Sequence, residues 1–235
     1  MLPLADENLP NRGLAYVTLA FIALNVLVFV FLQLPDEAFT YGWSVVPAEI
    51  TRGIDIVGPQ VIGPPGNRVE IPLAPGPDPI YLTLISSMFM HGGWLHLAGN
   101  MLFLWIFGDN IEHTLGSVLY VGFYLVAGVA GSLAQIMLEP GSLIPSLGAS
   151  GAISGVLGAY LVLFPSNRVL VFLFRFAMWV PALIVIGLWA VLQFVNGLGQ
   201  IAVTEQTGGV AYMAHIGGFI CGLVVGGIGR GLLRR

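Results

Sequence analysis

Charge is scarce in this sequence. Asp, Glu, Lys and Arg make up only 9% of the 235 residues, whereas soluble domains usually carry about 25%. Eight basic and 12 acidic residues cannot cover a soluble protein of this length with a charged surface. Disorder is excluded as well, because apolar residues make up 57% and aromatic residues 11% of the chain. The composition therefore predicts a polytopic membrane protein whose main partner is the lipid bilayer.

Basic residues and cysteine are scarce too. The eight basic residues are all Arg and are scattered along the chain, so no nucleic-acid partner is predicted. The single cysteine, Cys221, cannot form an internal disulfide. The acidic start MLPLADENLP lacks a basic region, and we therefore expect no cleaved signal peptide.

Apolar segments dominate what remains, and a helix needs about 20 apolar residues to cross a bilayer. Six such segments cover about residues 14–34, 91–107, 117–138, 150–164, 176–194 and 210–228. We predict that residues 1–235 form a single all-α domain, a bundle of six transmembrane helices. The fourth span has only about 15 residues and would rise about 22 Å. We expect this short, buried helix to begin inside the membrane beside a cavity, where irregular backbone is tolerated.

A long connection, residues 35–80, follows the first span. It contains Gly-Pro turns and aromatic residues such as Trp43, which suit the membrane interface. We expect an irregular, partly embedded outer loop with a small hairpin around Gly66 and Asn67.

The distribution of Arg predicts the orientation of the chain. Six Arg residues fall on the side that holds both termini, namely Arg12, Arg168, Arg175, Arg230, Arg234 and Arg235. The other two, Arg52 and Arg68, lie in the long loop. We expect an integral protein of the cell (inner) membrane, with cytoplasmic termini and a site toward the outer face. An alternative that places Arg175 inside a longer fifth helix is disfavoured by the cost of a charge in lipid.

Four polar residues lie within the apolar spans, where polar groups are by default candidates for function. In the predicted orientation Ser150, His215, His96 and Asn100 all lie near the outer end of the second, fourth and sixth spans. A serine needs a neighbouring base to become a nucleophile, and histidine is the usual base near neutral pH. We therefore predict that Ser150 and His215 form a catalytic dyad. The Ser150 backbone N–H, Asn100 and His96 are candidate oxyanion donors.

Glycine is abundant where these spans would meet. The fourth span carries Gly151, Gly155 and Gly158, and the sixth carries Gly218, Gly222 and Gly226. Such stripes allow close approach of helix backbones, so we expect the two stripes to face one another. Gly148 and Gly151 would also permit a tight turn and close approach of a substrate at Ser150.

Four motifs in this order resemble the rhomboid family of intramembrane serine proteases. They are FMHGGWLHLAGN (89–100), GDNIE (108–112), GASGA (148–152) and AHIGGF (214–219), and the resemblance covers roughly residues 86–226. It implies a six-helix bundle that cleaves membrane-anchored proteins in or beside their transmembrane segments. It also implies that Ser150 is the nucleophile, His215 the base, and Asn100, His96 and the Ser150 N–H the oxyanion hole.

The resemblance extends to two further residues. It implies that Glu112 is a structural residue at the inner end, and that Trp189 matches the fifth-helix aromatic residue that gates access of the substrate. It implies no metal or other cofactor.

Two positions depart from patterns found in some members of the family. An aromatic residue four positions after the serine, which stacks on the catalytic histidine, is replaced by Ser154. A Trp-Arg pair in the first outer loop is replaced by Trp43 and Ser44. These departures leave open how His215 is oriented and how the loop is anchored.

Three alternatives remain open from the sequence. A transporter or channel could also use polar residues and a broken helix, although no inverted repeat is visible. A metal site would have to use His91, His96, His113 and His215, without an HExxH motif. An inactive rhomboid-like protein could bind membrane clients without cutting them.

Overall fold

The computed structural model describes residues 2–9, 13–64, 66, 68–202 and 209–233. Helices dominate this part of the chain. Their bounds are α1 Tyr16–Val28, α2 Glu37–Trp43, α3 Pro47–Arg52, α4 Thr83–Ser86, α5 Trp94–Leu115, α6 Ser117–Leu138, α7 Ser150–Leu163, α8 Ala182–Ala202 and α9 Tyr212–Leu233. A π-helical turn, Phe29–Gln33, extends α1, and short 3-10 turns, Ile80–Leu82 and Ser87–Phe89, flank α4.

Four helices of the described chain are long and apolar enough to cross a membrane. They cover Tyr16–Gln33, Ser117–Leu138, Ala182–Gly199 and Tyr212–Gly231. The 22-residue helix α5 is longer than a bilayer requires but carries Asp109 and Glu112 near its end. Helix α7 has 14 residues, a rise of about 21 Å.

Two small antiparallel sheets accompany the helices, which corrects the prediction of an all-α chain. The strands are β1 Leu2–Asp6, β2 Gly58–Ile62, β3 Val69–Leu73, β4 Arg168–Leu173 and β5 Phe176–Pro181. They form one three-stranded sheet in the order β1-β4-β5 and one hairpin, β2-β3.

The predicted start of the fifth span, at about residue 176, is wrong because the chain forms strand β5 there. Residues 176–181 pair with β4 in a hairpin whose register runs from Arg168↔Pro181 to Leu173↔Phe176. Arg175 therefore lies at the hairpin turn, and the helix of this region begins at Ala182. The second span also begins slightly later than predicted, at Trp94.

The long loop contains the helices α2 and α3 and the strands β2 and β3, which corrects in part the prediction of an irregular segment. The side chain of Asp36 caps α2 by accepting the Ala38 N–H at 3.0 Å. The predicted hairpin is confirmed as β2-β3, with Gly66 in its turn; Asn67 lies outside the described residues. A small apolar core holds these pieces together and consists of Val46, Ala48, Ile71 and Leu73.

The loop is anchored to the backbone next to Ser150. Val45 and Ser146 exchange two backbone hydrogen bonds of 3.0 and 2.7 Å. The Ser86 hydroxyl donates to the Trp43 carbonyl at 2.7 Å, and the Trp43 ring stacks on Phe39. These contacts show how the loop is anchored without the Trp-Arg pair.

The short helix α7 forms the centre of the molecule. Its residues from Gly151 to Tyr160 are all buried. A methyl group on Gly218 or Gly222 would overlap the carbonyl oxygen of Gly151 or Gly155. The glycine stripes of α7 and α9 therefore face one another, as predicted, because only hydrogen at these positions allows this separation.

The two ends of the bundle are defined by α5 and α7. Ser150 opens α7 and the long loop covers that end, which we term the Ser150 end. At the opposite end, the Glu112 end, β1 pairs with β4 in a register that joins Asp6 to Val169. The guanidinium of Arg230 donates to the Val162 carbonyl at 3.0 Å on this same side. Three predicted inner-side residues, Arg12, Arg234 and Arg235, lie outside the described residues.

Candidate active site

Ser150 and His215 meet at the junction of α7 and α9. Ser150 is the first residue of α7, and His215 lies in the first turn of α9. The Oγ of Ser150 is 2.8 Å from Nε2 of His215. This separation is a hydrogen bond of the length required for proton transfer between a nucleophile and its base. The close approach of the glycine stripes below them brings the two helix starts together.

Gln193 of α8 makes the second hydrogen bond of the His215 ring. Its Oε1 is 2.8 Å from Nδ1 of His215. The sequence reasoning missed this residue and predicted no third member. Because the Oε1 of an amide only accepts hydrogen bonds, Nδ1 carries the proton and Nε2 is free to accept the Ser150 hydroxyl proton.

Two aromatic rings border the imidazole of His215. Trp189, one turn before Gln193 on α8, places its ring centroid 6.1 Å from the imidazole, tilted by 34°. Tyr212 lies edge-on at 6.3 Å. The Ser154 hydroxyl donates to the Ser150 carbonyl at 2.6 Å. The structure therefore places Trp189 beside the histidine itself.

Asn100 of α5 presents an amide group to the site. The residue is buried, and its Nδ2 has no hydrogen-bond partner among the described residues. Buried donors are almost always satisfied in folded proteins, so this N–H group is available to an acceptor that occupies the cavity.

His96, one turn before Asn100, supplies a second donor. Its Nδ1 accepts the backbone N–H of Gly92 at 3.3 Å. In the neutral ring the proton then resides on Nε2. A Cβ on Gly148 would lie 3.0 Å from that Nε2 and 3.5 Å from the Ser150 Oγ. His96 Nε2 and Ser150 Oγ thus both lie beside Gly148.

Gly148 adopts a conformation that only glycine accommodates easily. Its φ is +135°, and a side chain there would collide with the His96 ring. The Gly148 N–H donates to the Ser87 carbonyl at 2.9 Å, which fixes the turn before α7. The following N–H groups, including that of Ser150, belong to the first turn of α7 and lack intrahelical acceptors.

A clamp from α1 holds the segment before α5. Gln33, at the end of the π-helical turn, accepts the His91 N–H at 2.8 Å and donates to the His91 carbonyl at 3.1 Å. The buried His91 ring packs edge-on against the His96 ring with 5.1 Å between centroids. Sequence reasoning missed Gln33 as well, although π-helical turns are frequent near functional sites.

These groups open into one cavity of about 1100 Å³. Ser150, His215, His96 and Asn100 line its polar part, and α5 and α8 contribute apolar walls that include Phe103 and Trp189. The volume is large enough for a peptide segment together with water.

Glu112 lies at the far end of α5 and takes no part in this cavity. Its carboxylate accepts the N–H groups of Val17 and Thr18 at 3.0 and 2.8 Å, together with the Thr18 and Ser117 hydroxyls at 2.9 Å each. The residue therefore caps the N-terminus of α1 from a neighbouring helix. This geometry matches the structural role implied by the resemblance.

Metal-binding residues are not grouped in the described part of the chain. No set of three or more His, Cys, Asp or Glu side chains is placed there to share an ion. His113 lies in the last turn of α5, at the Glu112 end, while His96 and His215 lie at the Ser150 end.

Comparison with known proteins identifies similar sequences. A family model described as Rhomboid domain matches residues 79–231. This range contains Ser150, His215, His96 and Asn100. Rhomboid protein 1, mitochondrial, of Saccharomyces cerevisiae is 34% identical over 149 residues, 62% of this chain and 41% of that protein. Rhomboid protease GluP of Bacillus subtilis is 45% identical over 85 residues, 36% of this chain and 16% of that protein.

A third relative matches over about the same length as the second. Presenilin-associated rhomboid-like protein, mitochondrial, of Mus musculus is 39% identical over 87 residues, 36% of this chain and 23% of that protein. The matched regions thus cover less than half the length of each of these three relatives.

Proposed function

This chain belongs to the rhomboid family, whose members are generally intramembrane serine proteases, and we propose that it is an active intramembrane serine endopeptidase. The proposal rests above all on the 2.8 Å contact between Ser150 Oγ and His215 Nε2 inside the cavity. His96 and Asn100 of α5 line the same cavity, and the Asn100 Nδ2 donor has no acceptor among the described residues.

Acylation follows from these positions. Nε2 of His215 accepts the Ser150 hydroxyl proton while Oγ attacks the carbonyl carbon of the scissile peptide bond. The negative charge that forms on the carbonyl oxygen is stabilised by the Ser150 N–H, the Asn100 amide and Nε2–H of His96. His215 then gives its proton to the leaving amine, the C–N bond breaks, and an acyl ester remains on Ser150.

Deacylation needs water at the same place. A water molecule in the cavity gives a proton to His215 and attacks the ester carbonyl, and the same donors stabilise the second oxyanion. The proton returns to Ser150 Oγ as the acid product leaves. None of these steps requires a metal ion or another cofactor.

The substrates are proposed to be single-pass membrane proteins cut in or near their transmembrane segments. A peptide bond in a stable helix presents its carbonyl poorly to a nucleophile, because the helix satisfies its backbone groups. We therefore expect substrates that unwind easily near the Ser150 end and carry small residues at the cleaved bond. Leu substitutions that stiffen the helix around that bond should slow cleavage.

Placement in the membrane is part of the proposal. We infer that α5 and α7 complete a set of six spans together with the four long apolar helices. Arg168, Arg175 and Arg230 lie at the Glu112 end, whereas Arg52 and Arg68 belong to the loop at the Ser150 end. The Arg distribution supports cytoplasmic termini in a cell membrane, with the cavity toward the outer face.

This orientation can be tested by thiol labelling in intact cells. In a Cys221→Ala background, a membrane-impermeant maleimide should label Glu70→Cys in the β2-β3 hairpin but label Arg175→Cys only after lysis. The reverse pattern would place the site on the cytoplasmic side.

The activity test uses purified protein and a designed single-pass substrate in liposomes. Ser150→Ala and His215→Ala should each lower the cleavage rate by at least about 10⁴-fold, as in other enzymes that use a serine nucleophile. Ser166→Ala provides a matched control, because Ser166 is exposed in the turn before β4 and should leave cleavage unchanged.

Two results would overturn the proposal. Cleavage by Ser150→Ala at the parental rate would show that another group acts as nucleophile. Binding of membrane segments without cleavage by the parent chain would identify an inactive client binder instead.

A further inference from the structure

We propose that Gln193 is a positioning residue for His215, whose side-chain carbonyl fixes the tautomer and the orientation of the imidazole. This inference rests on the proposed function of Ser150 and His215. The observation that carries it is the pair of 2.8 Å hydrogen bonds on opposite sides of the ring, one to Gln193 and one to Ser150.

The two hydrogen bonds constrain each other. A neutral imidazole has one donor nitrogen and one acceptor nitrogen. His215 can remove the Ser150 proton only when Nε2 is the acceptor, so Nδ1 must be the donor. Gln193 Oε1 accepts that Nδ1 proton. A ring with the opposite tautomer would face the Oε1 lone pairs with its own lone pair and would donate to Ser150, which leaves the serine without a base.

An amide suits this place better than a carboxylate in one respect. It carries no charge, so it can lie in an apolar helix bundle without the desolvation cost of a buried ion. It also gives less stabilisation to the imidazolium formed during catalysis than a carboxylate would. The expected contribution is therefore that of one neutral hydrogen bond, about tenfold in rate.

Helix α8 thereby orients the His215 ring, whereas some members of the family use an aromatic residue at the position of Ser154. Trp189 and Gln193 are four residues apart and share one face of α8, so this face supplies both a ring beside the imidazole and an acceptor for Nδ1. Since Ser150 and His215 lie on α7 and α9, the complete set needs three helices. A displacement of α8 would break the Nδ1 hydrogen bond while leaving the Ser150–His215 contact in place.

The test measures labelling of Ser150 by a small fluorophosphonate as a function of pH. This probe reports nucleophile activation and does not need a bound substrate helix. Gln193→Met keeps the length of the side chain but replaces the amide oxygen with a thioether, a much weaker acceptor, and it should lower the labelling rate at pH 7 about tenfold. Gln193→Glu keeps an acceptor and adds a charge that favours the imidazolium. It should retain labelling and shift the midpoint of the pH profile upward.

Controls separate this role from a merely structural one. Leu192→Met changes an exposed neighbour on α8 and should label at the parental rate. Thermal unfolding of each variant in detergent micelles shows whether the fold is retained. Parental labelling and an unchanged pH profile in Gln193→Met would overturn the inference, and so would an equal loss in the Met and Glu variants. Failure of the proposed function is distinct, because the parent itself would then not be labelled at Ser150.

Discussion

Asn100 and Asn110 lie on the same helix, α5, and both are buried, but their amides have opposite hydrogen-bonding environments. At the Ser150 end, Asn100 Nδ2 has no partner among the described residues. At the Glu112 end, Asn110 accepts the Leu9 N–H at 3.1 Å and donates to the Asp6 carboxylate at 2.8 Å and the Glu7 carbonyl at 3.2 Å.

The same contrast holds for the neighbours of these residues. At the Glu112 end, the Glu112 carboxylate receives four hydrogen bonds, and the Asp6 carboxylate receives those of Tyr160 and Asn110. At the Ser150 end, the donors face a cavity. The polar groups of Asn110 and Glu112 hold helices and strands together, whereas the unpaired Asn100 Nδ2 group can meet an acceptor in the cavity. We propose that this difference separates structural from functional polar residues within one bundle.

The strongest test of this comparison exchanges each asparagine for alanine. Asn100→Ala removes a proposed oxyanion donor, so cleavage by the folded protein should fall about 10²- to 10³-fold. Its unfolding temperature should not fall, because no hydrogen bond is lost. Asn110→Ala removes the acceptor of the Leu9 N–H and one of the two side-chain donors to Asp6, and it should cost about 2 kcal/mol of stability. Liposome cleavage assays and thermal unfolding in micelles provide the two readouts.

The opposite effects of the two variants on cleavage and stability would contradict the comparison. A loss of stability in Asn100→Ala with normal cleavage would make that residue a helix-packing group. Normal stability in Asn110→Ala would show that the network at the Glu112 end is dispensable.

A second test asks how tightly the Ser150 end must be assembled. Gly218→Ala places a methyl group against the Gly151 carbonyl oxygen, so α9 must move away from α7 next to the dyad. A shift of about 1 Å in reacting groups can cost about 10²-fold in rate, and we expect a loss of that size. Gly227→Ala is the matched control, because a Cβ there has no neighbour within 4 Å. Equal cleavage by the two variants would contradict the need for close helix contact.

A third test addresses the opposite end. Glu112→Gln replaces one acceptor oxygen with a donor that faces the Thr18 or Val17 N–H group. The helix cap of α1 is then lost, and stability should fall by about 3 kcal/mol. Cleavage by the remaining folded protein should stay within about twofold of the parent. Glu70→Gln, on the exposed hairpin, should change neither quantity, and a large loss of activity in folded Glu112→Gln would contradict a structural role.

The sequence predicted much of the Ser150 end. Motif residues Ser150, His215, His96 and Asn100 come together at one end of the bundle, as their predicted depths required. The glycine stripes predicted the close contact of α7 and α9, because a stripe of small residues leaves few other arrangements. The oxyanion roles of Asn100 and His96 remain predictions that the alanine variants test.

Other parts could not be predicted because their partners are distant in sequence. The first residues of β5 are apolar, so the sequence does not distinguish them from the start of a membrane span. Their pairing with β4 identifies them as a strand. Asp6 and Asn110 contact each other across 104 positions, and no local pattern signals such a pair. Gln193 is one of three amide residues in the otherwise apolar sequence of α8, and only the rotation of the helix shows that it faces His215. The spacing of Trp189 and Gln193 was the one available signal.

The smallest predicted effect concerns pH and the Glu112 end. Burial raises the pKa of Asp6 from 3.8 to about 6, and the neighbouring Asp109 acts in the same direction. Between about pH 4 and 6 the folded chain then binds a proton that the unfolded chain does not. The free energy of unfolding should therefore fall as pH rises through this window, by roughly 2 kcal/mol after allowance for partial exposure.

Asp6→Asn should remove this dependence, because an amide does not titrate, while the amide oxygen of the new side chain still accepts the Tyr160 hydroxyl. Burial also raises the pKa of Glu49 in the loop, to about 7, so its own stability contribution falls over an overlapping pH range. Thermal unfolding is therefore compared between the parent and Asp6→Asn in a Glu49→Gln background. A slope that survives in Asp6→Asn would assign the pH dependence to another group. A slope that disappears would show that the charged Asp6 carboxylate destabilises the folded chain at the Glu112 end. Its hydrogen bonds then do not fully offset the cost of burying its charge.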